Sequence, residues 1–297
     1  MVSKNPYVLF NCVEKTLKPK IDFFRSVGCS GADMVRILTL APYILNGSVK
    51  NHLIPSFELL RTIFGSQQNA ADAIIRRPPI IGRERWSKNF AINVEFLRTI
   101  GIPITQVMKM LNRSAACVVA TNAPHRFRKD VEFVMEMGFD PSLSFFVHAL
   151  DAKGFLSELG WEDRLKFFRS LGFSNEETIH MFKKQPSTLL SSKDKIREAV
   201  EFYINRFHWS PTQLSKKPNI LLYSLGKRII PRCSVLQILV SRSMIDKSVM
   251  VSSLLVMTEG DFLEKFITNY KDEVPELLDA YQGKLKFDEY NFDPWTN

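Results

Sequence analysis

A glycine returns five times at nearly constant spacing: Gly28, Gly65, Gly101, Gly138 and Gly172 lie 37, 36, 37 and 34 residues apart. An apolar pair precedes each one: Phe23-Phe24, Leu59-Leu60, Phe96-Leu97, Phe133-Val134 and Phe167-Phe168. A sixth pair, Phe202-Tyr203, is followed by His208-Trp209 where the glycine would fall. Prolines keep the same beat: Pro6, Pro42 and Pro78 are 36 apart, Pro186 follows 108 residues later, and Pro218 comes after a step of 32. Proline stops a helix because it lacks an N–H and clashes with the preceding turn. Glycine closes one in the left-handed conformation. Ser30–Gly65 then reads as a helix (Ala32–Leu40), a stop at Pro42, a second helix (His52–Phe64) and a closing glycine. A helical pair of this size cannot bury both apolar faces alone, so its neighbours must cover them. Two markers in phase predict an all-α superhelical solenoid of about seven stacked units, with no β-sheet.

The expected organisation is a partial repeat at 1–28, a repeat array at 29–241, closing helices within 242–287 and a frayed tail at 288–297. The first of these has a long helix, Leu17–Val27, but no helix before it. Its apolar side chains, Ile21 and Phe24 among them, are therefore expected at an exposed edge, as in a chain shortened from a longer precursor carrying a targeting segment. Two repeats depart from the pattern: Ala115 and the Ala149-Leu150 region stand where a stop proline belongs. Ser174 and Glu177 form a capping box ahead of the restored Pro186 unit. Val249–Tyr270 and Glu276–Gln282 read as the closing helices.

Enzymatic signals are thin. No GxGxxG, phosphate-loop or HExxH motif occurs, and Glu177–His180 is a lone ExxH on a helix. The four cysteines are scattered without a CxxC pair, which points to reduced thiols, not to a metal site. No apolar run is long enough to span a bilayer. The expectation is a non-enzyme with no cofactor, no metal and no membrane partner.

Charge carries the functional signal. Residues 259–297 hold 10 acidic and 4 basic side chains (−6), so residues 1–258 hold 36 basic and 21 acidic (+15), matching the total of +9. The cations recur with the repeat. One set ends the first helix: Arg76-Arg77, Lys183-Lys184 and Lys216-Lys217, each ahead of a proline. The other opens the long helix: Arg83, Arg85 and Lys88; Arg126, Arg128 and Lys129; Lys193, Lys195 and Arg197; Lys227, Arg228 and Arg232. Helix C-termini favour cations, which accounts for part of the first set. The second set sits where the helix dipole disfavours it, so the sequence predicts a basic rail that tracks a phosphate backbone.

The stretches EKTLKPKIDFFRSVG (Glu14–Gly28), APYIL (Ala41–Leu45), MGFDPS (Met137–Ser142), FKKQP (Phe182–Pro186), SLGKRIIPRCSVLQIL (Ser224–Leu239) and PELLDAYQGKL (Pro275–Leu285) together resemble the mitochondrial transcription termination factor (mTERF) family, above all its land-plant branch. The resemblance implies repeats of two α-helices and a short 3₁₀ turn, with a basic groove. It implies an organellar protein, mitochondrial or alternatively chloroplastic, that binds duplex DNA or organellar RNA in transcription termination, transcript processing or splicing. The alternative is a helical-repeat scaffold for acidic protein partners in an organellar RNA or ribosome-assembly complex.

Overall fold

A computed structural model describes residues 6–111, 123–246 and 251–284. All the regular elements among them are helical. The chain divides between Ser157 and Glu158 into two compact bodies. The first begins with a 3₁₀ turn (Pro6–Phe10) and a π turn (Val13–Leu17) that leads into α1 (Lys18–Ser26). Then come α2 (Gly31–Leu40), a 3₁₀ turn (Pro42–Asn46), a π turn (Val49–Leu53) and α3 (Ile54–Phe64). The body continues with α4 (Gln67–Arg76), α5 (Pro79–Gly82), α6 (Glu84–Thr99), α7 (Ile104–Leu111), α8 (Pro124–Glu136) and α9 (Ser144–Phe155).

The second body opens with α10 (Glu158–Ser170), α11 (Asn175–Lys184), a 3₁₀ turn (Pro186–Leu190), α12 (Lys193–Phe207) and α13 (Pro211–Lys216). A 3₁₀ turn (Pro218–Leu222) and a π turn (Leu225–Ile229) lead into α14 (Ile230–Ser241). It closes with α15 (Val251–Val256), α16 (Glu259–Leu263), a π turn (Glu264–Thr268) and α17 (Leu277–Tyr281).

The punctuation works as its chemistry requires. Gly28, Gly65, Gly101, Gly138 and Gly172 all have positive φ. His208 takes the same conformation at φ 54°, and Ser243 at φ 58° closes a further long helix that carries no glycine mark. At most of these ends two backbone bonds cross, as at Gly28, where Gly28 N–H reaches Arg25 O and Cys29 N–H reaches Phe24 O. This closure buries the residue after the glycine against the last turn. Phe173 meets Phe168 edge-on at 5.7 Å, and Trp209 stacks on Tyr203 at 5.2 Å.

Serines mark the other ends. Ser30, Ser66, Ser174 and Ser210 cap α2, α4, α11 and α13, and at Ser30, Ser174 and Ser210 the capping box is complete. Three of the four π turns among the described residues, those before α1, α3 and α14, have a common cause. Pro19, Pro55 and Pro231 each lie six residues after the turn begins. A proline ring inside a helix collides with the carbonyl four residues back. Widening the turn to an i→i+5 bond makes room for it.

The proline missing near Leu150 leaves α9 uninterrupted to Phe155. Two expectations need correction. Phe24 is buried, because α1 turns its apolar side toward the next repeat, where Phe23 meets Phe57 at 5.9 Å. Ile21 is half-buried, and the exposed apolar side chains of this edge are Leu9, Phe10 and Val13. The anticipated long closing helix breaks at Met257, with Thr258 capping a new start. Ala115, Val249 and the tail 288–297 lie outside the described residues.

Candidate nucleic-acid interface

Many of the repeated cations reach forward, about one repeat ahead, to carbonyls at the end of the next repeat's first helix or turn. From the set before the prolines, Arg77 Nε donates to Leu111 O at 2.9 Å and Lys184 Nζ to Lys216 O at 3.0 Å. Lys217 Nζ donates to Ser252 Oγ at 2.8 Å. From the starts of the long helices, Arg126 donates to Gly154 O at 3.2 Å and Lys195 to Leu222 O, and from the middle of α10 Arg164, outside both sets, donates to Ser191 O at 2.8 Å. Arg228 holds Leu255 O at 3.3 Å, Val256 O at 3.0 Å and Met257 O.

The helix dipole explains the direction. The last carbonyls of a helix have no partner within it and carry partial negative charge, so a cation from outside completes them. A cation at the start of a long helix, disfavoured by its own dipole, is compensated by the carbonyl end of the following repeat. That local penalty was the ground for reading the second set as a phosphate track, and for Arg126, Lys195 and Arg228 the compensation lies within the protein.

Arg232 departs furthest from expectation. Its side chain is wholly buried, with Nη1 donating to the carbonyls of Leu254, Leu255 and Met257 at 3.2, 3.1 and 2.6 Å. Nη2 reaches Thr258 O at 3.3 Å and the Glu259 carboxylate at 3.2 Å, and the guanidinium lies over the Phe262 ring. It has no surface to offer a phosphate, and as a binding residue it is withdrawn. Nη1 and Nη2 are both bonded, while Nε is buried without a hydrogen-bond partner among the described residues; a cation this deep persists because most of its donors are satisfied.

The other candidates face solvent to varying degrees. Arg83, Arg85 and Lys88 are exposed at the start of α6, with Arg83 over Trp86 at 5.1 Å and Lys88 paired to Glu84 at 2.7 Å. Arg128 and Lys129 are exposed on α8, and Arg128 lies over Phe96 at 5.1 Å. Lys183, Lys216 and Lys227 are exposed, and Arg76 is half-buried. Lys193 and Arg197 pair with Asp163 and Asp194 at 2.8 and 3.0 Å.

Two acidic groups escaped the sequence reading. Asp130 is buried and accepts from Lys153 Nζ at 2.9 Å, while Arg126 stands 3.9 Å from its other oxygen. Asp151, on α9, has its carboxyl pushed up to about 6 by burial, against the opposing charge of Arg77. Neither sits in a motif, and only the fold brings its partners near. Among the described residues no group of His, Cys, Asp and Glu could hold a metal ion, and no helix is long and apolar enough to cross a membrane.

The mTERF family model matches residues 1–150 and 155–263. The chain belongs to the mTERF family. A chloroplastic transcription termination factor of Arabidopsis thaliana, MTERF8, is 26% identical over 231 residues, covering 66% of this chain and 46% of its own. Mitochondrial transcription termination factor 1 of Homo sapiens is 24% identical over 192 residues, covering 65% of this chain and 40% of its own. MTEF18, a mitochondrial transcription termination factor of Arabidopsis thaliana, is 20% identical over 289 residues, covering 89% and 50%. The chain thus spans half or less of the length of these relatives. The proline-marked 3₁₀ turns and glycine-closed long helices are, in this chain, the mTERF repeat.

Proposed function

We propose that this mTERF chain is an organellar nucleic-acid-binding protein that regulates gene expression, in a mitochondrion or a chloroplast, through cations presented once per repeat. The observation that carries the reading is the division of labour among those cations. After the carbonyl-bound side chains are set aside, Arg85, Arg128, Lys183, Lys216 and Lys227 still face solvent. They stand at two recurring positions of a region whose net charge is +15. A basic surface of this kind draws a polyanion and releases its counterions on contact. The relatives support the same reading, since all three are named transcription termination factors of chloroplasts or mitochondria.

Affinity measured against salt tests it. Phosphate contact gives a log–log slope of about −0.7 per neutralised charge on single strands and about −0.9 on duplex. Replacing Lys183, Lys216 and Lys227 together by glutamate weakens binding to every sequence and flattens the slope by about two to three units. These side chains bind no carbonyl among the described residues, so helicity by circular dichroism stays unchanged. A triple variant that binds with wild-type affinity and slope refutes the reading and leaves a scaffold for acidic protein partners in its place.

A further inference from the structure

In the second body the ends of α11 and α13 and one side of α15 surround a hollow of about 460 Å³. Lys184 comes from the last turn of α11, Lys216 and Lys217 from the end of α13, and Ser253 from α15. Pro218 and Asn219, which open the following 3₁₀ turn, line it as well. Three lysines therefore share one concave wall, and none of the side chains that line it is a carboxylate. Gathering like charges without a counter-charge raises the energy of the free protein, and an anion relieves it.

Two of the lysines are fixed by bonds inside the fold. Lys184 Nζ donates to Lys216 O at 3.0 Å, and Lys217 Nζ to Ser252 Oγ at 2.8 Å and Ser253 Oγ at 3.4 Å. These tethers hold positive charge in place before any ligand arrives, which lowers the ordering cost of binding. They do not exhaust the donors. An ammonium carries three N–H groups, so Lys184 retains two. Lys216 is exposed, and among the described residues neither its ammonium nor the half-buried Asn219 amide is hydrogen-bonded.

We propose that this hollow seats a phosphate dianion, the terminal phosphate of a nucleic-acid strand, in preference to an internal linkage. The strand as its source rests on the nucleic-acid reading above, whereas the phosphate chemistry rests on the hollow alone. A terminal phosphate carries a charge of about −1.5 to −2 and three strong acceptor oxygens. An internal phosphate carries one charge, gives two of its oxygens to sugars, and needs the strand to enter and leave past the walls. Three lysines with donors to spare and no carboxylate match the terminal group in both charge and hydrogen bonding. Lys183, exposed on the same helix end, does not line the hollow, so it meets a strand without telling its end from its middle.

The test uses the full chain and one RNA sequence in three forms: 5′-phosphorylated, 3′-phosphorylated, and hydroxyl at both ends. Each is measured single-stranded and as a duplex, at fixed salt. The wild type binds at least one phosphate-ended form about tenfold tighter than the hydroxyl-ended one, the equivalent of one added charged hydrogen bond. Lys216→Gln, at an exposed and unbonded position that leaves the fold intact, removes that difference. Lys183→Gln weakens all three forms alike and keeps it. Equal binding of the three forms by the wild type overturns the proposal and leaves the proposed function standing. A preference that survives Lys216→Gln, or that Lys183→Gln abolishes as well, also overturns it. A wild type that binds no strand removes the proposed function, and inorganic phosphate, followed by titration calorimetry at constant ionic strength, then decides the hollow. Binding that Lys216→Gln abolishes keeps the hollow as a seat for free phosphate, and no binding overturns it.

Discussion

Replacing Arg232 by methionine keeps an unbranched apolar stem but removes the group that five acceptors share. Four of these are the carbonyls of Leu254, Leu255, Met257 and Thr258, gathered where α15 ends and α16 begins. The fifth, Glu259, is 61% exposed, so water screens its share and it contributes little. Charged hydrogen bonds are each worth about 1.5–3 kcal/mol, and breaking a buried charge interaction from one side costs about 3–5 kcal/mol overall. Some of the carbonyls regain water once the end of α15 loosens, so the sum does not multiply by four. The expected loss is about 3–5 kcal/mol, confined to the second body. Native-state hydrogen exchange reads it directly: protection in 251–268 falls by about two to three orders of magnitude, while the first body keeps its own. A loss below about 1 kcal/mol would refute the reasoning. So would unchanged protection accompanied by a drop in nucleic-acid affinity, which would return Arg232 to the binding surface.

Further outcomes follow from other parts of the chain. Gly138→Ala places a Cβ in open space but at φ 87°, so the cost is backbone strain alone, about 1–2 kcal/mol in urea unfolding; His208→Gly relieves the same strain and stabilises by up to about 1 kcal/mol. Asp130→Ala leaves the Lys153 ammonium buried without its partner, for a loss of about 3–5 kcal/mol, and Asp130→Ala/Lys153→Met recovers a large part of it. Asp151 binds its proton more tightly folded than unfolded, so stability declines as pH rises from about 4 to about 6; Asp151→Asn removes that decline and stabilises at pH 7 but not at pH 4 in denaturant titrations.

What the sequence discloses depends on how local the physics is. A left-handed residue calls for glycine at one position, and a helix stop calls for proline at another, so both leave a mark that survives unaided reading. The stops of the first helices, the capped start at Ser174 and the closing at His208 follow from such marks. Ser243 closes a long helix with no glycine to announce it, and its end shows only in the fold. The absence of a stop near Leu150 was visible, but its result, a helix running on to Phe155, depends on packing beyond the local signal. The cations divide the same way. Their periodicity is legible, whereas the carbonyls that accept from the bonded ones lie 22 to 34 residues away, and no side-chain pattern records a carbonyl. Dipole reasoning applied to one helix therefore assigned Arg228 and Arg232 to a ligand, when the next repeat supplies their acceptors.

Because the cation-to-carbonyl bonds between repeats point forward, the chain has a reading frame of its own. Deleting or duplicating one whole period leaves each donor facing an equivalent carbonyl, so repeats can be lost or gained as intact modules. A deletion of half that length strands a cation on one side of the junction and a bare helix end on the other. Length changes in this chain should therefore survive in steps near 36 residues, the interval from Pro6 to Pro42 and from Pro42 to Pro78, and at intermediate lengths only in the connecting turns.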